Sequence, residues 1–246
     1  MSGFNDGDLA ARLADEAGKI LLSVRESGLF GGKSLGKAGD QTANQFLCHA
    51  LREQRPEDGL LSEEEKDNAD RLAKSRVWIV DPVDGTREYG EARADWAVHV
   101  GMAVDGVPVL GAVALPGAGL VLRSDQPGEV PAAPEVLRMV VSRTRPAKEA
   151  TGVAEAIGAE LVPMGSAGAK AMAILLGQAD IYLHSGGQYE WDSCAPAAVA
   201  LGWGLHVSRI DGSPLVYNRE DVYMPDLLIC RKEHAELVLR EVKAFL

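Results

Sequence analysis

The order of elements in this 246-residue chain predicts an α+β fold in two halves, each with its own sheet, sharing a cleft. Three observations predict it. Two amphipathic helical segments precede a run of short apolar strands. A stretch rich in proline and small residues at 125–135 (DQPGEVPAAPE) then interrupts the pattern. Beyond it, strands and helices alternate to the end. The division falls near residue 130, giving an N-terminal half of residues 1–130 and a C-terminal half of residues 131–246.

In the first segment Leu9, Leu13, Ala17, Ile20, Leu21 and Val24 recur at helical spacing over residues 6–25, and Asp6 or Asp8 can cap the start. Residues 28–40, GLFGGKSLGKAGD, are rich in Gly and Lys and predict a mobile loop. A second helix is expected over 41–52, with Phe46, Leu47, Ala50 and Leu51 on one side. Short β-branched runs predict strands at 59–61, 77–80, 96–104, 107–114 and 120–123, and Asp105-Gly106 between two of them signals a hairpin. The second half predicts strands at 137–142, 160–163, 181–183, 204–207 and 227–230. Helices are expected at 147–157, 167–176, 193–201 and 233–245. The chain shows no internal repeat and no low-complexity tract.

Composition narrows the function. Hydrophobic residues make up 46% and charged residues 25%, ordinary for a chain that buries a sizeable core. Lys and Arg number 25 against 36 Asp and Glu, a net charge of −11 that argues against binding nucleic acid or anionic membrane through bulk charge. A small anionic substrate is still compatible, because a bound cation can reverse the sign within one cleft. Cys48, Cys194 and Cys230 are odd in number and without CxxC spacing, a pattern of buried thiols in a reducing compartment. The acidic, mixed N-terminus does not read as a secretory signal, and no stretch reaches the ~18 apolar residues of a membrane span. A soluble, cytoplasmic protein is expected, monomer or homodimer.

The most informative run is Val77-Trp-Ile-Val-Asp81-Pro82-Val83-Asp84-Gly85-Thr86. A strand is expected to end at Asp81, Pro82 to break the ladder, and Gly85 to permit a turn closed to other residues. Two carboxylates at the end of a buried strand are costly unless a cation neutralises them. Hard divalent cations such as Mg²⁺ take oxygen ligands of this kind, and the Val83 carbonyl can add a third. A capped strand-to-turn junction would explain an arbitrary DxxD as well. The five fixed positions of Asp-Pro-x-Asp-Gly-Thr, however, should arise by chance only about once in 10⁴ chains of this length. Leu60-Leu-Ser-Glu63-Glu64-Glu65 alone reads as a solvated acidic turn, and Glu190-Trp191-Asp192-Ser-Cys-Ala-Pro196 alone as a capped helix start.

Together, LLSEEE, WIVDPVDGT and EWDSCAP resemble the motifs of the lithium-sensitive, metal-dependent phosphomonoesterase superfamily that includes inositol monophosphatases and fructose-1,6-bisphosphatases. Thr86-Arg-Glu-Tyr89 and Gly165-Ser166…Lys170 are similar to the CysQ-type branch acting on 3′-phosphoadenosine 5′-phosphate (PAP). The resemblance runs from the first helix to the last. It implies a layered αβαβα sugar-phosphatase-like fold around a metal cleft. It also implies metal ligation by Glu63, Asp81, Asp84 and Asp192 through side chains and by Val83 through its carbonyl, with Glu64 behind them. Two or three Mg²⁺ ions are implied, with Mn²⁺ as a substitute.

The same resemblance makes Asp40 and Thr86 the water-activating pair, with Glu63 beside them, and offers the N–H groups of Gly85 and Thr86 to the phosphate. The expected reaction is hydrolysis of the 3′-phosphate of PAP, or alternatively of inositol 1-phosphate or fructose 1,6-bisphosphate. A non-catalytic metal-binding protein would not require the Thr. For the second phosphate the resemblance points to Ser166 and Lys170, with Ser142 and Arg143 in a VSRS-like segment and His184 nearby; Lys170 can equally snorkel and Arg145 be a solvated loop cation. An inositol phosphatase would be expected to carry a Glu near His184 and Ser185, and none is adjacent in sequence. His49, His99, His206 and His234 lack metal-ligand spacing and read as structural or exposed. Trp78, Trp96 and Trp203 read as core, and Tyr89 and Tyr189 as loop aromatics able to flank an adenine.

Overall fold

In the computed structural model, which describes residues 3–246, the N-terminal apolar periodicity becomes α1 (Asp6–Glu26). Asn5, one position ahead of the expected caps, accepts the Asp8 backbone N–H at 2.8 Å. The second helix, α2 (Gly32–Gln54), starts nine residues before its expected position and absorbs most of the segment that composition marks as a loop. The glycines serve close packing there. A Cβ on Gly36 would lie 2.7 Å from Thr86 Cγ2, and one on Gly39 would lie 2.6 Å from the Tyr89 ring.

The first sheet has order β1-β2-β3-β4-β5: β1 (Gly59–Ser62), β2 (Arg76–Asp84), β3 (Ala97–Val104), β4 (Val107–Leu115) and β5 (Leu120–Arg123). β1 and β2 are parallel, and the remaining pairs antiparallel. Asp105 and Gly106, both at positive φ (49° and 81°), turn β3 into β4, as the sequence predicts for this dipeptide. β2 does not stop at Asp81. It runs through Pro82 to Asp84, its register with β3 shifting between those two aspartates. The proline thus sits at an irregularity of the ladder and does not end it. Gly85 (φ 87°) then turns the chain into the one-turn helix α3 (Thr86–Gly90).

The second sheet has order β7-β6-β8-β10-β9, built from β6 (Arg138–Ser142), β7 (Glu160–Met164), β8 (Ile181–Tyr189), β9 (His206–Ser208) and β10 (Tyr223–Cys230). The helices α4 (Lys148–Ile157), α5 (Ala167–Leu175), α6 (Glu190–Gly202) and α7 (Lys232–Val242) alternate with it. β8 and β10 are longer than their apolar runs: the end of β8 carries Ser185 to Gln188 to the cleft, and the start of β10 pairs with it, Met224 staying in the core and Asp226 pairing with Arg209.

Three apolar cores separate five layers. Val98, Val100 and Met102 of β3 pack toward α1 and α2. Ala97 and Ala103, on the opposite face, join α5, α6 and the inner face of the second sheet. Met139, Leu183 and Leu228 pack outward against α4 and α7. The layering is αβαβα, as expected. Small residues let the middle layer come close: a Cβ on Gly111 would lie 2.4 Å from the Ala195 carbonyl oxygen. That approach brings the first turn of α6 against the end of β2.

Candidate metal centre and active site

Two acidic segments meet where β2 ends and α6 begins. Asp81, Asp84 and Asp192 each offer an oxygen, and these atoms all lie within 4.8 Å of one another. Burial and the charges of Glu63, Asp84, Asp192 and Asp40 push the Asp81 carboxyl well above the usual carboxylate range. Burial and then repulsion from Asp84 raise Asp192 to about 7. Its Oδ2 accepts the Tyr189 N–H at 2.7 Å, so it serves the helix start as well. α6 begins at Glu190, three residues before its expected start, so Pro196 falls beyond the first turn.

Asp84 goes the other way. Burial alone would raise its pKa, but His99, Ser166 and Lys170 outweigh burial and hold it below the usual range. It caps the start of α5: Oδ1 accepts the Ala167 N–H at 3.0 Å, and Oδ2 accepts the Gly168 N–H at 2.6 Å and the Ser166 hydroxyl. The cluster therefore holds one carboxylate prepared in its ionised form beside others that resist ionisation. Mutually repelling, buried oxygen donors of this kind match a hard divalent cation.

Glu63 lies in the turn after β1, next to the cluster rather than inside its tightest trio. Burial of its carboxyl and repulsion from Asp40 raise it to about 7, although part of the residue faces solvent. Glu64, behind it, raises Asp40. Asp40 is 7% exposed, on the inner face of α2, and sits at about 7 through burial and the Glu64 charge. Its Oδ1 has no hydrogen-bond partner among the described residues. The expected Thr86–Asp40 pair is only half present. Thr86 Oγ1 donates to the Val83 carbonyl at 3.1 Å, while its nearness still favours the ionised form of Asp40. The Val83 carbonyl is therefore engaged by Thr86.

Two clefts meet at Gly85 and Thr86. One, of about 560 Å³, is lined by Asp40, Glu64 and Thr86 together with Lys33, Lys37 and Arg87. The other, of about 490 Å³, starts at Asp84, Gly85 and Asp192 and extends past Ser142, Ser166, Lys170 and His184 to Arg145 and Lys148.

Several of the expected substrate contacts already have partners within the protein. Lys170 is buried, and its Nζ donates to the carbonyls of Gly165 (3.0 Å) and Ser166 (2.6 Å). The Ser166 hydroxyl is spent on Asp84. Both therefore organise the start of α5. Arg143 pairs with Glu88 (2.8 Å) and Glu91 (2.9 Å), away from that cleft. Ser142 accepts the Arg145 backbone N–H at 3.2 Å, and His184 Nε2 lies 2.9 Å from the Gly186 carbonyl. Tyr89 is fully buried with its hydroxyl on the Leu21 carbonyl, so it flanks no ligand. Tyr189 is exposed and stacks on Trp191.

Three features were given no site role by the sequence reading. Arg145 and Lys148 are the exposed cations in the cleft, and neither forms an ion pair among the described residues. Glu149 lines the same cleft and accepts the Ser185 hydroxyl at 2.5 Å, supplying a carboxylate that no adjacent residue does. His99 is fully buried against Asp84. A signal for His99 was available: it interrupts the small-residue face Ala97, Gly101, Ala103 of β3.

A family model described as the inositol monophosphatase family matches residues 8–245. A 3′-phosphoadenosine 5′-phosphate phosphatase of Mycobacterium leprae is 48% identical, over 97% of this chain and 93% of its own length. The 3′(2′),5′-bisphosphate nucleotidase CysQ of Escherichia coli is 28% identical over 76% of this chain and 81% of its own. Among solved structures, CysQ from Bacteroides thetaiotaomicron is similar with a TM-score of 0.78 and 25% identity, covering 93% of this chain and 98% of its own. An inositol monophosphatase from Zymomonas mobilis shares the fold at TM-score 0.78 and 24% identity, covering 97% of each chain. With its five layers and its acidic cluster at the end of β2, the chain belongs to the inositol monophosphatase family.

Proposed function

We propose that the protein is a Mg²⁺-dependent phosphatase that removes the 3′-phosphate of PAP to give AMP and phosphate. The observation that carries this reading is the Asp81–Asp84–Asp192 cluster, opening into a cleft whose far end presents the unpaired cations Arg145 and Lys148. A substrate with two phosphates matches a cleft with an acidic end for metal and a basic end for the second anion. The name of the M. leprae relative supports the same substrate.

Asp81, Asp84, Asp192 and Glu63 would hold the metal ions through their carboxylates, and Val83 through its carbonyl. When bound, Mg²⁺ neutralises the substrate's charge, acidifies a water and stabilises the departing alkoxide. The chain's own part is orientation and proton handling. Asp40 faces the Thr86 cleft with an unpartnered oxygen, ready to accept a proton from the attacking water. Thr86, anchored to the Val83 carbonyl, fixes that edge of the cleft. The N–H groups of Gly85 and Thr86 carry no intrahelical bond and are offered to the phosphate. Arg145 and Lys148, with His184 beside them, would hold the 5′-phosphate in place of the expected Ser166 and Lys170.

The reading places the protein in the cytoplasm, where its free, buried Cys48, Cys194 and Cys230 suit reducing conditions, with a role in sulfate assimilation and sensitivity to Li⁺. Glu149 favours the rival substrate inositol 1-phosphate, since a carboxylate can accept sugar hydroxyls. Phosphate release from PAP, inositol 1-phosphate and fructose 1,6-bisphosphate, each with Mg²⁺ and with chelator, separates the readings. The highest kcat/KM is expected for PAP, and only with Mg²⁺. Faster turnover of inositol 1-phosphate would overturn the substrate assignment.

A further inference from the structure

A single imidazole spans the two acidic segments. His99, on β3, has no exposed surface and pairs across the sheet with Asp81. Its Nε2 lies 3.2 Å from Asp84 Oδ2, and its Nδ1 lies 3.0 Å from the carbonyl of Trp191, the residue before Asp192. Nδ1 is within hydrogen-bonding geometry of the helix that carries Asp192, while Nε2 has no aligned hydrogen-bond partner among the described residues and meets the Asp84 carboxylate as a close charge contact.

The surroundings are fitted to the ring. A Cβ at Gly168 would lie 2.1 Å from His99 Nε2, so any larger residue there would displace the imidazole or the first turn of α5. Gly168 also donates its N–H to Asp84 Oδ2. Oδ2 is therefore surrounded by Ser166, Gly168 and His99, while Oδ1 receives only the Ala167 N–H and keeps a lone pair free. The carboxylate plane has one orientation left.

We propose that His99 is a positioning residue: it fixes the rotation of Asp84 and ties it to the Trp191–Asp192 turn, setting the spacing of the two ligands before a cation arrives. Groups behind a ligating carboxylate typically control metal affinity by about 10–100-fold. The inference rests on the metal reading of Asp84 given above.

The test is Mn²⁺ affinity of the metal-free protein by isothermal titration, which does not depend on turnover. His99→Phe keeps ring volume and loses both nitrogens; its Mn²⁺ affinity is expected to fall about 10–100-fold. His99→Gln, whose amide can still donate to Asp84, is expected to recover most of that loss. Parental Mn²⁺ affinity in His99→Phe, or a Gln variant as weak as Phe, overturns the proposal while leaving the metal site standing. Absence of Mn²⁺ binding by the parent protein would instead overturn the metal reading, and this inference with it. If His99→Phe does not fold, ¹⁵N-histidine spectra of the parent decide. The His99 ring signals, assigned by their loss in His99→Gln, are expected to shift on addition of Mg²⁺ while those of His49 and His234 stay. Unmoved His99 signals contradict the proposal.

Discussion

Lys170 and Arg145 divide two tasks that sequence assigns to one lysine. Lys170 is 5% exposed and gives its protons to two carbonyls at the start of α5; its pKa is lowered, by burial above all. Lys170→Ala is expected to cost about 2–4 kcal/mol of stability, since it opens a cavity and strands two acceptors. Arg145→Ala should leave stability nearly unchanged and raise the KM for PAP more than that for inositol 1-phosphate. Chemical denaturation and steady-state kinetics of the two variants check this; an equal KM increase for both substrates in Arg145→Ala would remove it from second-phosphate recognition. The residue types of the acidic cluster were legible because Asp-Pro-x-Asp-Gly-Thr compresses a strand end, a turn and two ligands into six positions. Long-range pairings were not: that Glu88 and Glu91 occupy Arg143 depends on how the second sheet meets the first, and that Glu149 reaches Ser185 from 36 positions away depends on how α4 packs on β8.

At the scale of elements, α2 is the instructive one. Three glycines within eight positions look like a loop, because glycine disfavours helix by about 1 kcal/mol each. Here Gly36 and Gly39 face Thr86 and Tyr89, and tertiary contact outweighs propensity. Gly36→Ala is a sharp test, for alanine favours the helix yet its Cβ would sit 2.7 Å from Thr86 Cγ2. A loss of about 1–3 kcal/mol with a lowered kcat is expected, measured by urea unfolding and phosphate release. A more stable, equally active variant would show that residues 32–39 behave as the loop that composition suggests. Strand ends were the other casualty of local reading. β8 continues past its apolar run because its polar residues at the cleft are held by cross-strand pairing with β10, a signal absent from hydropathy.

Across the whole molecule, the layers place acids from both sides of the central helices in one pocket, and this makes stability depend on proton and metal together. Asp40, Glu63 and Asp192 sit at about 7, against ordinary values near 4. In this range the folded protein binds more protons than the unfolded chain. Without metal, therefore, stability falls as pH rises from about 4 to about 7. Asp84, shifted downward, contributes throughout that window and loses its contribution only in stronger acid. The metal-free melting temperature should be higher near pH 5.5 than near pH 7.5, and Mg²⁺ should raise it mainly at the higher pH, where the carboxylates are free to ligate. A Mg²⁺ effect independent of pH would contradict the shared pocket. The layering itself was legible from element order, since two helices, a meander and an alternating half leave few ways to cover both sheets. We propose the division near residue 130 as the point where the chain passes between them, although one core, from Leu61 to Ile229, draws on both sides.

The most direct measurement is anomalous diffraction from crystals soaked in Mn²⁺. The account predicts ordered peaks in contact with Asp81, Asp84 and Asp192 at the mouth of the cleft that leads to Arg145. Ordered Mn²⁺ found only elsewhere, with these three carboxylates apart and facing solvent, would contradict it.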